Sequence, residues 1–456
     1  MYGFWTLVPP LLAITVALVK RDVVAALFLG VLSSSIIING WGFLPPIVSE
    51  YMMGGWASGA SLLMLLVLIG IMVSQITATG GFLALSRLAR RKVGSRRGAK
   101  CLAWLLCILC SVDDGMAILG SGSISRPITD SFRIPREKLA YILSSVGSNF
   151  LSMMPYSAYI LFGTGLIGAY APELDSMKTY FQMIPLNAYA ILSILLAGLF
   201  AAEVIPDFGP MKRAEKRAEE TGLTVPAGSE GLALNELGDE AAARLEPDLK
   251  AVLLPVGGMI LTLIVLYVTA GEIQIYSAAL VGALTSLIYP LLAGKMKFRD
   301  ISGRCFAGFQ SMAPLFIILL MAFTFSSAIN AMGFGDYIVT LVGGQVNRAL
   351  LPLIMFIICG LVAYASGSFA TGLAIICPIS IPLALASGAS VPLVMAACMG
   401  GSQFGDQTSP LSDVFIMSSL TAGIDVGESA RTLLPYKLLT AACAAGVYLA
   451  LGFLIH

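Results

Sequence analysis

The chain has 456 residues and a net charge of +1, with 57% of its residues hydrophobic and 12% charged, against about 25% charged in an ordinary globular domain. Its mean hydropathy of +0.89 and its many apolar runs close to the ~20 residues that cross a bilayer mark a polytopic membrane protein; no basic domain is present to bind nucleic acid. His456 is the single histidine, which excludes a His-based metal site or proton switch and leaves proton chemistry to carboxylates.

Met1–Thr6 has no positive n-region and apolar segments continue beyond it, so no cleavable signal peptide is expected. Apolar spans are expected at about 5–19, 22–40, 57–78, 139–170, 181–202, 251–270, 275–294, 305–331, 392–420 and 436–455. Between them stand two candidate helical hairpins, 101–129 and 350–386. Their cores, Ser111–Pro127 and Ser366–Pro382, read as cousins. A shift of 255 residues superposes Ser111 on Ser366 and Pro127 on Pro382, and the same shift places Pro155 on Pro410 and Ser157 on Ser412. The fold class is therefore an all-α polytopic membrane protein of two inverted-topology repeats, with about ten transmembrane helices plus two re-entrant hairpins and discontinuous helices at the site. The first repeat is 1–202, a cytoplasmic linker is 203–250, and the second repeat is 251–456.

Lys and Arg set the orientation. If the first hairpin enters and leaves on one side, both of its basic flanks, Arg87–Lys100 and Arg126–Lys138, are cytoplasmic. Carried through the chain, this places 25 of 27 basic residues in the cytoplasm, Arg431 and Lys437 included, with Lys178 and Arg348 outside. It puts both termini on the extracytoplasmic side and leaves no Lys or Arg within the membrane to pair with a carboxylate. Segment 203–250 mixes both charge signs and reads as a solvated linker, partly helical. The eight cysteines fall mostly in apolar segments and read as small packing residues; Cys107-x-x-Cys110 has no second pair.

Spans 139–170 and 392–420 are long for single crossings. Ser144, Ser145, Gly147, Ser148, Asn149, Ser152 and Pro155 interrupt the first, and Gly400-Gly401-Ser402-Gln403 and Gly405-Asp406-Gln407-Thr408-Ser409-Pro410 interrupt the second. Proline frees a carbonyl and glycine lets the chain unwind. Freed carbonyls and half-helix ends are groups that hold ions in transporters.

Four carboxylates lie at apparent membrane depth: Asp113, Asp114, Asp406 and Asp413. Each costs roughly 2.5–3.5 kcal/mol there even on the mild insertion scale. Sodium is hard and takes oxygen ligands. The candidate ion- and proton-binding set is Asp113, Asp114, Asp406 and Asp413 with Asn149, Ser148, Ser152, Gln403, Thr408 and Ser409; Asp406 and Asn149 are the candidate sodium ligands. Ser111, Ser121, Ser123, Ser366, Ser368, Thr371 and Gln407 are candidates for binding a solute through hydroxyls, the amide and backbone N–H groups. The alternative for many of these is structural. Asp113, Asp114 or Asp413 can cap a half-helix, membrane serines and threonines often satisfy their own helix carbonyls, and Gly120–Ser125 can be a close helix contact. An intramembrane aspartyl protease is disfavoured, because Gln403-Phe404-Gly405-Asp406 lacks a G-x-G-D pattern.

At these residues the chain resembles the NhaC-type sodium/proton antiporter family, which also contains malate/lactate exchangers. The motifs are Asp113-Asp114, Arg126-Pro127-Ile128-Thr129-Asp130 and Arg136-Glu137-Lys138-Leu139-Ala140-Tyr141-Ile142. In the second half they are Gly405-Asp406-Gln407-Thr408-Ser409-Pro410-Leu411-Ser412-Asp413 and Thr421-Ala422-Gly423-Ile424-Asp425. The resemblance implies a secondary transporter rather than an enzyme, in the cell inner membrane. It also implies a homodimer, elevator motion of a hairpin-bearing domain, and no cofactor beyond sodium and protons. Sodium/proton antiport is the first expectation, with ion-coupled transport of a small organic acid or amino acid as the alternative. The family commonly has Lys where Gln407 stands, an acid where Ser144 or Ser145 stands, and often an aromatic residue at Gly115. These departures alter the charge of the site and leave room for an organic solute.

Overall fold

The computed structural model describes residues 2–20, 22–80, 94–111, 114, 116–155, 157–226, 248–270, 274–334, 337 and 347–455. Among them helix follows helix and no strand forms. The first half runs α1 (Val8–Lys20), α2 (Val23–Asn39), α3 (Met53–Ala78), α4 (Arg96–Leu109), α5 (Ser121–Ser131), α6 (Arg136–Leu151), α7 (Ala158–Tyr170), α8 (Ser176–Met183) and α9 (Ala188–Ala201). A polar helix, α10 (Gly209–Thr221), follows. The second half runs α11 (Lys250–Ala270), α12 (Ile275–Leu292), α13 (Ile301–Ala331), α14 (Leu351–Ser366), α15 (Phe369–Ser387), α16 (Val391–Asp406), α17 (Asp413–Ala422) and α18 (Val426–Leu454). The starts of α4 and α14, of α6 and α16, and of α7 and α17 each lie 255 residues apart.

Helix ends follow local chemistry. Ser157 and Ser412, 255 residues apart, both cap the half-helix behind a proline. Ser157 Oγ accepts from the Ile160 N–H (3.3 Å) and Ser412 Oγ from the Phe415 N–H (3.4 Å). Asp425 caps α18 through the N–H groups of Gly427 and Glu428 at 2.8 and 3.2 Å. The last helix thus begins ten residues before the expected span at 436, with Pro435 inside it.

Four helical stretches among the described residues are long and apolar enough to cross a membrane singly: Val24–Gly42, Gly59–Ile76, Phe369–Ser387 and Val426–Leu454. A fifth crossing is possible among them if Ser176–Leu186 and Ala188–Ala201, which meet at a 41° bend, count as one span. One arm of the second hairpin, α15, is itself of full spanning length, about 28 Å at 1.5 Å per residue.

Two apolar cores organise these helices. The larger contains α3, α7, α13, the α14–α15 hairpin and α16. The smaller contains α4, α6, α9, α17 and part of α18. The first broken helix therefore runs from the small core (α6) to the large (α7), and the second from the large core (α16) to the small (α17). Both breaks lie where the cores meet. Backbones approach closely there: a Cβ on Gly401 would stand 2.3 Å from Phe356 O, and one on Gly405 2.4 Å from Gly360 O. That is the small-xxx-small contact of membrane helices.

The linker is not simply solvated where it is described. Met211, Ala214 and Ala218 of α10 are buried. Its charges pair with the first half: Glu215 with Arg96 and with Lys100 (2.6 Å), and Arg217 with Glu137 (3.0 Å). Its remaining stretch, 227–247, lies outside the described residues.

Candidate functional site

The two breaks meet through Gln407. It follows the end of α16, is fully buried, and uses its whole amide. Its Oε1 accepts from Asn149 Nδ2 (3.1 Å), Lys437 Nζ (3.3 Å) and Tyr189 Oη (3.4 Å), and its Nε2 donates to Ser148 Oγ (3.3 Å). Gln407 thus ties α16 to α6, α9 and α18. Asn149 Nδ2 also donates to Ser145 O (2.7 Å), while Asn149 Oδ1 is buried without a partner among the described residues.

Beside this junction is a cavity of about 180 Å³, well above the ~10–15 Å³ that one water needs. Asp114, Asp406 and Asp413 line it together with Ser368, and Tyr159, Phe162 and Phe369 form an aromatic wall. Asp406 closes α16, about 22 Å along that helix, and is 3% exposed. Its Oδ1 accepts from Ser412 Oγ (2.8 Å), and Phe369 lines the same cavity. Phe369 opens α15, so the positive end of that helix dipole faces Asp406. Asp114 is half-buried and accepts from Tyr159 Oη at 2.9 and 3.1 Å. Asp413 opens α17 and is exposed; its Oδ1 accepts from the Val414 N–H (2.9 Å). Three carboxylates from two halves of the chain thus face one cavity, a field that attracts a cation.

Other expected residues stand around this centre. Ser148 contacts Gln407, and Ser152 Oγ donates to Asn149 O at 2.7 Å. Gln403 Oε1 accepts from Asn187 Nδ2 (3.0 Å), leaving Nε2 buried and unpartnered. Ser409 Oγ accepts from the Leu411 N–H (3.3 Å), and Ser368 Oγ, the cap of α15, accepts from the Thr371 N–H (3.3 Å). Four hydroxyls return to carbonyls of their own chain segment: Ser111 to Cys107, Ser121 to Ala117, Ser366 to Val362 and Thr408 to Phe404. Gly122 packs on Thr421, where an added Cβ would stand 2.3 Å from Cγ2, so the Gly120–Ser125 run is a close helix contact. Asp113 and the side chain of Ser123 lie outside the described residues.

One residue overturns an expectation. Lys437, expected as a solvated charge, is fully buried, about 16 Å down α18 from its first residue. Its Nζ donates to Ser144 O (3.0 Å) and Gln407 Oε1 (3.3 Å) and lies 5.8 Å from the Tyr141 ring centroid. A basic side chain therefore does lie inside the protein, at the junction of the two breaks. The expected span starts at Tyr436, which leaves Lys437 at its edge and hides the ten helical residues that precede it. The signal in the sequence is the pair of apolar neighbours on each side, Leu433-Leu434 and Leu438-Leu439.

The profile of the Na+/H+ antiporter family matches residues 150–453. The chain belongs to that family. An uncharacterized protein of Haemophilus influenzae is 30% identical, over 98% of this chain and 91% of its own length. The malate-2H(+)/Na(+)-lactate antiporter of Bacillus subtilis is 32% identical over 111 residues, 24% of this chain and 23% of its own length. The fold is similar to the Alcanivorax borkumensis YdaH transporter, with a TM-score of 0.63, 14% identity, and coverage of 91% of this chain and 90% of that one. It is also similar to Neisseria gonorrhoeae MtrF, whose structure is described as illuminating a class of antimetabolite efflux pumps: TM-score 0.64, 15% identity, 92% and 86% coverage. The family member is therefore a multi-pass secondary transporter of small ions or solutes, not an enzyme.

Proposed function

We propose that the chain exchanges sodium for protons at the cavity between its two broken helices. The observation that supports this most is the convergence of Asp114, Asp406 and Asp413 on that cavity. Sodium takes carboxylate, hydroxyl and carbonyl oxygens, which Asp406, Ser412 and Ser368 offer, and Asn149, whose Oδ1 has no partner among the described residues, adjoins the next residue, Gln407. A carboxylate that holds either sodium or a proton, and not both, produces antiport by competition.

The reading extends to the finer architecture. The 255-residue spacing of helix starts supports two inverted repeats. Placement of the breaks between two cores supports alternating access in which the hairpin-bearing part moves as an elevator, in a homodimer of the cell inner membrane.

The test uses proteoliposomes of the purified chain with a trapped pH dye and an imposed proton gradient. Sodium dissipates the gradient, potassium does not, and Asp406→Asn abolishes the response while remaining inserted. A gradient indifferent to sodium refutes antiport. A second reading, exchange of a small organic acid, draws on the α15 N-terminus, the aromatic wall and the buried Lys437, and on the named activity of the Bacillus subtilis relative. A thermal-shift screen of small carboxylates, with and without sodium, tests it.

A further inference from the structure

Three lysines are buried among the described residues: Lys100, Lys138 and Lys437. Lys100 pairs with Glu215 at 2.6 Å, and Lys138 pairs with Asp207. Lys437 differs. Among the described residues no carboxylate lies within ion-pair distance of its Nζ, which meets only neutral oxygens, Ser144 O and Gln407 Oε1. A lysine kept for stability alone pairs with an acid or extends its ammonium to water. This one points into the junction of the two breaks.

Its surroundings define what it can respond to. Of the helices packed on α18, α6 presents the Tyr141 ring and α9 presents Tyr189, which shares Gln407 Oε1. α16 ends at Asp406, one residue before Gln407, whose Oε1 accepts from the ammonium. α17 carries only Asp413 and α14 no charged residue. Nearer the start of α18, Tyr436 Oη donates to Asp207 (2.8 Å), which Lys138 already engages; Glu215 and Arg217 of α10 pair with Arg96, Lys100 and Glu137, and its Arg213 shares a cleft with Glu428 and Arg431 at the start of α18. Among the described residues of these helices, Asp406 is therefore the carboxylate whose state the buried charge of Lys437 can answer, one residue from its partner Gln407.

We infer that Lys437 is a proton-bearing residue of the exchange: its ammonium offsets Asp406 across the α16 break while the cavity is free of sodium, and sodium arriving beside Asp406 expels that proton. The step balances. One N–H bond of the ammonium breaks, its electron pair stays on Nζ as a neutral amine, and the proton passes to water on the side to which the site is open. One positive charge enters as one leaves, so the low-dielectric junction keeps its net charge. This inference rests on the antiport reading above and moves the competing proton from the carboxylate to the neighbouring Lys437.

The experiment reconstitutes the full chain as wild type, Lys437→Met and Lys437→Arg. It measures sodium-driven proton movement and the pH profile of sodium-induced thermal shift. In the wild type, sodium affinity weakens up to about tenfold for each pH unit lowered, as proton competition requires. Lys437→Met keeps a sodium shift but flattens that profile and loses at least about nine-tenths of proton movement. Lys437→Arg, permanently charged, weakens sodium at every pH. Full exchange by Lys437→Met with an unchanged profile overturns the inference and leaves antiport standing. If the Met variant does not fold, full exchange by Lys437→Arg overturns it instead. A wild type indifferent to sodium overturns the antiport reading and this inference together.

Discussion

Replacing Gln407 by leucine keeps the side-chain volume and removes every polar contact at the junction. Four groups lose a partner: Asn149 Nδ2, Lys437 Nζ, Tyr189 Oη and Ser148 Oγ. A buried group left unsatisfied costs about 1–3 kcal/mol, and independent losses would reach roughly 4–12 kcal/mol. They are not independent, because all four share one side chain and Asn149 Nδ2 and Lys437 Nζ keep second acceptors at Ser145 O and Ser144 O. The expected loss is therefore about 3–5 kcal/mol, the size seen when one member of a buried polar network that includes a charge is removed. In a chain of this length that lowers the apparent melting temperature by on the order of 5 °C, read as loss of monodisperse protein in detergent against temperature. A double-mutant cycle separates the ammonium from the rest. In a Lys437→Met background the same leucine costs less, since no ammonium is left short of an acceptor. Melting of Gln407→Leu within about 1 °C of wild type, or losses that simply add in the double variant, would refute the network argument.

Gly367 joins α14 to α15 at φ +68°, and a Cβ there would stand 2.9 Å from the backbone of Leu411 in the α16–α17 break. Gly367→Ala should lose about 1–3 kcal/mol of stability from strained backbone alone and slow transport further by parting the hairpin tip from the break; a variant with wild-type melting and rate contradicts this. Asp248, ahead of α11, accepts from Tyr289 Oη (2.6 Å) and Lys295 Nζ (2.8 Å). Burial acts to raise its carboxyl, but those hydrogen bonds and the Lys295 charge outweigh it and hold it below the ordinary carboxylate range. A depressed folded value means that its stabilisation is present above the unfolded value of about 3.9 and is lost as pH falls through the lower folded one. Asp248→Asn should therefore lower the melting temperature at neutral pH, with a deficit that shrinks as pH falls below about 3.9; a deficit independent of pH argues against it.

The breaks were legible because proline, glycine and acids cannot sit idly in an apolar helix. Pro155 and Pro410, with Ser157 and Ser412 two residues on, are local features, and each serine does cap the half-helix behind it. The roles of the hydroxyls were less legible. Ser111, Ser366 and Ser368 look alike in sequence, yet only Ser368 lines the cavity, the other two bonding to carbonyls one turn earlier in their own helices. Likewise the charges of α10 look solvent-facing by composition, whereas Glu215 and Arg217 are committed to the first half.

By itself, then, the sequence determined that the chain lives in a membrane, where it must break, and which acids are too costly there to be incidental, because hydropathy, helix breaking and desolvation act over a few residues. Which acids meet was decided only by tertiary structure. Asp114, Asp406 and Asp413 come together because each broken helix passes from one core to the other and leaves its break at the boundary. Lys437 shows the same division most sharply. A positive charge near an apolar run reads as a cytoplasmic anchor until the packing of α18 against α6, α9 and α16 turns it inward to Gln407.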